Sequence, residues 1–140
     1  MVGRALILLV DDDSAYRQIL LSALPGKLQF GNKAIRLSFM EAESGEGALE
    51  IINRQVPDVV LTDMNMPGMN GLGLIRAIKQ LPSSCSINLI LMSIAYGEND
   101  LVHLEQMVSL GKQLGFVFVP KELGAIKEMF RAALENKDAH

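Results

Sequence analysis

Three consecutive aspartates (Asp11-Asp12-Asp13), an isolated Asp63, the hydroxyl of Ser93 and the ammonium of Lys121 are residues whose types could do chemistry together. Crowded carboxylates repel, and in isolation some would hold a proton. A hard divalent cation removes that conflict, and Mg²⁺ prefers a few carboxylate oxygens completed by water and phosphate oxygens. With the ion present, an ionised aspartate can attack phosphorus. A transferring phosphoryl group spreads charge over its oxygens, which an ion, an ammonium and a hydroxyl can meet. Taken singly, these residues mean little. An aspartate triplet is often a solvated turn in which Asp13 or Ser14 caps the next helix, and Asp63 before a Pro-Gly turn is ordinary turn chemistry. Only their convergence would make a site.

The elements that must position them follow from the apolar pattern. Ala5–Val10 is a continuous apolar run, as in a strand covered on both faces. Ala15, Ile19, Leu20, Ala23 and Leu24 form a helical stripe stopped at Pro25-Gly26. Ile35, Leu37 and Phe39 alternate with Arg36 and Ser38, the mark of a half-exposed strand, here expected at the sheet edge. A second helix carries Ala48, Leu49, Ile51 and Ile52. Val59–Thr62 is a short buried strand ending at Asp63, and Gly71 opens a helix that Pro82 ends. The spacing predicts a strand over Ile87–Ser93, a helix over Leu101–Leu114, a strand over Phe116–Val119 and a last helix from about Leu123 to Glu135.

Five strands alternating with five helices predict an α/β fold: one doubly wound, five-stranded parallel sheet of order 2-1-3-4-5 over residues 1–140. In such sheets the C-terminal strand ends meet at one crevice. The first strand ends at the aspartate triplet, the third at Asp63, the fourth at Ser93 and the fifth before Lys121. All four groups therefore point at the same place.

Composition narrows the classes. With 49% hydrophobic residues the chain is not a disordered one, and a net charge of −3 gives no electrostatic reason to bind nucleic acid. The single Cys85 excludes an internal disulfide and fits a reducing cytoplasm. Residues 5–10 are too short for a signal-peptide core, and no stretch is long enough to cross a bilayer. His103 and His140 are expected in solvent, and the polar Glu135–His140 to fray.

LILLVDDD (Leu6–Asp13) together with PDVVLTDMNMPGMNGLGLI (Pro57–Ile75) resembles the response-regulator receiver family of two-component signalling, whose fold is flavodoxin-like. The resemblance spans essentially the whole chain. It implies that Asp63 is the phosphoacceptor, and that Asp11, Asp12, Asp63 and the backbone carbonyl of Asn65 hold Mg²⁺. It further implies that Ser93 is the hydroxyl that reorients on activation, Lys121 its charged companion and Phe118 the aromatic switch. Asp13 falls past the acidic pair and is read as a helix cap.

Three features depart from the family pattern. The usual Lys-Pro order is reversed in Pro120-Lys121, so no cis peptide after the lysine is expected. Ser93 and Lys121 stand about six residues further apart than usual, and Lys27–Lys33 looks inserted.

The implied function is a signalling switch that takes a phosphoryl group from a histidine-kinase phosphohistidine, or from a phosphotransfer protein, and changes its partner surface. Its target would be a separate protein or a fused output domain, and a homodimer is compatible with the sequence. A phosphorylation-independent interaction module is the alternative. A Mg²⁺-dependent phosphohydrolase is disfavoured, because Asn65 stands where such an enzyme needs a second acid. The chain is thus expected not to be a turnover enzyme. No output segment is evident after the last helix.

Overall fold

The computed structural model describes residues 2–94 and 99–137. In chain order they form β1 (Val2–Val10), α1 (Ser14–Ala23), β2 (Lys27–Phe30), β3 (Lys33–Ala42), α2 (Gly45–Arg54), β4 (Val59–Asp63), α3 (Gly71–Lys79), β5 (Asn88–Ser93), α4 (Asn99–Leu114), β6 (Val117–Pro120) and α5 (Leu123–Lys137). His140 and the end of the polar tail lie outside the described residues, while His103 is exposed, as expected, and Cys85 is exposed as well.

The apolar run of β1 is stable because both of its faces are covered. Ile7 and Leu9 join Leu61 and Ile90 in a core closed by Leu20 and Leu24 of α1 and by Ile126, Phe130 and Leu134 of α5. Leu8 and Val10 belong to the opposite core, with Ala48 and Ile52 of α2, Leu74, Ile75 and Ile78 of α3, and Met107 of α4. Successive residues of one strand thus feed two hydrophobic layers, as its two-residue period requires.

The sheet departs from the expected one in a single place. It has six strands in the order β2-β3-β1-β4-β5-β6. The last five are parallel and reproduce the expected 2-1-3-4-5 arrangement, whereas β2 runs antiparallel to β3. The segment that looked like an insertion is therefore a hairpin arm, with Leu28 opposite Ile35 and Phe30 opposite Lys33. Its two-residue turn begins at Gly31 with φ +60°, which fits the type II′ geometry that matches strand twist.

The second parallel strand, expected at the edge, is consequently an inner one. Its alternation has another cause: Ile35 and Leu37 face the α1/α5 core, while Arg36 and Ser38 are exposed on the opposite face, which α2 covers only further along the strand, at Met40 and Ala42. The new edge is held by α5, where Arg131 Nη2 donates to the Gln29 carbonyl at 2.9 Å and its guanidinium lies 4.4 Å from the Phe30 ring centroid.

Candidate functional site

Four strand ends deliver the polar residues to one rim. Asp11 follows β1, its N–H donating to the Ala42 carbonyl at the end of β3 at 3.1 Å. Asp63 closes β4 and Ser93 closes β5. Lys121 follows β6, its N–H donating to the Ser93 carbonyl at 2.8 Å. Asp11, Thr62, Asp63 and Ser93 are the buried polar residues among those described, and three of them are the groups that converge here.

Their side chains form a charged cluster. Lys121 Nζ stands 2.8 Å from Asp11 Oδ2 and 3.6 Å from Asp63 Oδ2. One carboxylate oxygen each from Asp11, Asp12 and Asp63 lie within 4.8 Å of one another. Asp11 is wholly buried and Asp12 exposed. Burial, reinforced by the neighbouring Asp11 charge, pushes the Asp63 carboxyl up to about 6, against the pull of Lys121 and of the Asn65 N–H that donates to it. Burial alone would lower the Lys121 ammonium, but the carboxylates of Asp11 and Asp63 outweigh it and raise the group.

One ammonium does not balance three carboxylates. Among the described residues, Asp11 Oδ2 is buried and takes no hydrogen bond beyond its ion pair with Lys121. A compact set of hard oxygen donors with surplus negative charge and an under-satisfied buried oxygen fits a hard divalent cation.

The remaining expected residues fall in varied surroundings. Asp13 caps α1, accepting from the N–H groups of Ala15 and Tyr16 at 3.0 and 3.2 Å. Asn65 is exposed just past Asp63. Among the described residues, the Ser93 hydroxyl makes only a long 3.5 Å contact to the Ile94 carbonyl, leaving it little committed there. Phe118 is buried in the core on the α2/α3/α4 face. No cis peptide bond occurs among the described residues.

Three residues around this rim were given no role at the site by the sequence, Gly71 being read only as the start of a helix. Arg17 donates to the Asp11 carbonyl at 2.5 Å and pairs with Glu41 at 3.0 Å, bracing the loop that bears the acidic pair. A Cβ on Gly71 would run into the Asp63 carbonyl oxygen, so α3 can begin against the end of β4 only because residue 71 has no side chain. The ring of Tyr16 lies under Lys121, its centroid 4.3 Å from Nζ. None of the three announces itself in one dimension, because each contact joins elements that meet only in the fold.

A family model described as the response regulator receiver domain matches residues 7–114. The chain is similar to the DNA-binding transcriptional regulator NtrC of Klebsiella pneumoniae, with 36% identity over 118 residues that cover 84% of this chain and 22% of that regulator. It is similar along most of its length to the probable chemotaxis protein CheY of Rhizobium etli, with 31% identity covering 90% of this chain and 92% of that protein. Among solved structures, a response regulator receiver protein from Pseudomonas putida superposes with a TM-score of 0.71 at 25% identity, covering 94% of this chain and 99% of that one. The chain spans about a fifth of the NtrC regulator it matches.

Proposed function

The chain belongs to the response regulator receiver domain family, and on that premise we propose that Asp63 accepts a phosphoryl group from the phosphohistidine of a sensor kinase or phosphotransfer protein. An Asp63 carboxylate oxygen forms the new P–O bond while the donor's P–N bond breaks. The electron pair returns to the donor imidazole, which takes up a proton. The observation that carries this reading is the position of Asp63: a buried carboxylate flanked by Asp11 and by the Lys121 ammonium.

Asp11, Asp12, Asp63 and the Asn65 carbonyl are the groups that would hold Mg²⁺. Bound there, the ion would neutralise the crowded carboxylates and the charge on the transferring group. Lys121 meets the phosphoryl oxygens as a point charge. The little-committed Ser93 hydroxyl is suited to donate to them, and Phe118 is the side chain whose packing would respond.

The chain turns over no separate substrate on this reading: Asn65, two residues after Asp63, cannot serve as a general acid. Its output passes through a partner, either a fused effector module or a separate protein, and not through direct contact with nucleic acid. No described helix is long and apolar enough to cross a membrane, and the unpaired Cys85 supports a cytoplasmic setting.

Acetyl phosphate with Mg²⁺ should add one phosphoryl mass to the intact chain, labile at alkaline pH. The Asp63→Asn variant should take up none. An undiminished mass shift in that variant would sink the assignment.

A further inference from the structure

Lys121 has an unusual support. Its stem is a flexible four-carbon chain, so an ammonium that must meet a phosphoryl group needs something to hold it in place. The residue that follows it is Glu122, and the proline stands before it, so no proline ring stiffens the chain on its far side. Its backbone N–H is anchored by the Ser93 carbonyl at the end of β5. The ammonium then meets Asp11 at 2.8 Å, Asp63 at 3.6 Å and the Tyr16 ring at 4.3 Å. Two carboxylates and a π face thus surround a nearly buried cation, leaving it few other places to go.

We infer that Tyr16 is a positioning residue, whose ring face holds the Lys121 ammonium between Asp11 and Asp63 in register for the phosphoryl group. This rests on the phosphoacceptor reading of Asp63.

Two observations bear on that role. First, the Tyr16 hydroxyl is buried and has no hydrogen-bond partner among the described residues, so no polar contact of its own holds the ring, and its π face is the part that meets the cation. Second, the ring is fixed by its own backbone. Tyr16 lies in the first turn of α1, and its N–H is one of the two that Asp13 caps. The cap therefore orients the helix turn that carries the ring, which in turn restrains the lysine. A cation over an aromatic face gains more as water is excluded, and here the Lys121 side chain is only 8% exposed.

The test compares the wild-type chain with Tyr16→Phe and Tyr16→Leu. In protein labelled with ¹³C at lysine Cε, with the signal assigned through Lys121→Arg, the Lys121 ε-methylene protons should be displaced upfield by the ring. The displacement should persist in Tyr16→Phe and vanish in Tyr16→Leu. The initial rate of phosphoryl uptake from acetyl phosphate with Mg²⁺ should fall about five- to tenfold in Tyr16→Leu and stay within about twofold in Tyr16→Phe. If Tyr16→Leu does not fold, Tyr16→Met replaces it, since methionine fills a similar volume without a π face.

The proposal is overturned by the absence of ring displacement in the wild-type chain, or by equal loss of rate in the phenylalanine and leucine variants, which would make the hydroxyl the working part. A folded leucine variant with wild-type rate overturns it too. If the wild-type chain takes up no phosphoryl group, the Asp63 reading fails instead, and the spectrum still reports whether the ring holds the lysine.

Discussion

At the C-terminal rim the buried polar residues include Asp11, Asp63 and Ser93 around one ammonium, whereas at the β2–β3 hairpin the buried residues are apolar, among them Leu28, Ala34, Ile35 and Leu37. Both regions are parts of the same sheet, yet they draw on opposite physics. Desolvated carboxylates that repel one another weaken a fold and hold a chemical potential that a cation or phosphoryl group can relieve. Apolar side chains removed from water strengthen the fold and offer nothing to react with. Substitutions in the two regions should therefore separate stability from chemistry.

The largest effect is expected at the hairpin. Leu28→Ala should lose about 2–3 kcal/mol of stability in urea unfolding, with phosphoryl uptake per folded molecule unchanged. A rate that fell in step with stability would show that the hairpin and rim are energetically coupled and would break the comparison.

Next comes a distinction inside the rim. Asp12→Ala should weaken Mg²⁺ binding on the order of tenfold or more, as loss of a group in a metal site commonly does. Asp13→Ala should instead leave that affinity near its wild-type value and cost about 1 kcal/mol of stability through the lost helix cap. Equal losses of Mg²⁺ affinity would mean that the metal-binding and structural roles are divided differently among the three aspartates.

The smallest effect concerns Asp63 in metal-free protein. Its carboxyl is raised from an ordinary value of 3.8 to about 6 in the fold. Below the ordinary value it is neutral in both folded and unfolded chains. As pH rises through the window between the two values, the unfolded chain loses its proton first, so stability falls. Above about 6 the full penalty is present. Asp63→Asn should then gain about 1 kcal/mol at pH 7 to 8, after allowance for solvent at the pocket mouth, and the gain should shrink toward pH 4. Denaturant melts with chelator at both pH values check the sign. A gain that grew on acidification would contradict it.

The five parallel strands and the rim were legible because strand periodicity and the strand-end rule act over long stretches. Lys121 shows the rule's reach. It lies beyond residue 114, where the family match stops, and stands displaced in spacing, yet it emerges next to Asp11 and Asp63. The hairpin was missed although its signals were present: Leu28 and Phe30 alternate with polar neighbours, and Gly31-Asn32 is a two-residue turn pair. Four residues carry too little periodicity to outweigh a five-strand frame, and the pairing with β3 supplies what the arm cannot signal alone. Tyr16 was illegible for a different reason. Helical spacing does not tell what stands over an aromatic ring, and only the fold brings Lys121 over its face.

The Arg131 contact to the hairpin bears on how this molecule behaves in a crowd. A two-residue turn leaves Gln29 at a pair that exchanges no ladder bonds, so its carbonyl points outward from the sheet. Such an outward row is a template on which another chain's strand could extend the sheet. Here the row is short. Arg131 occupies the Gln29 carbonyl, and exposed Lys27 places a charge on the same strand. The arm that enlarges the sheet thus also ends it, turning an extendable border into one that discourages strand-by-strand self-association.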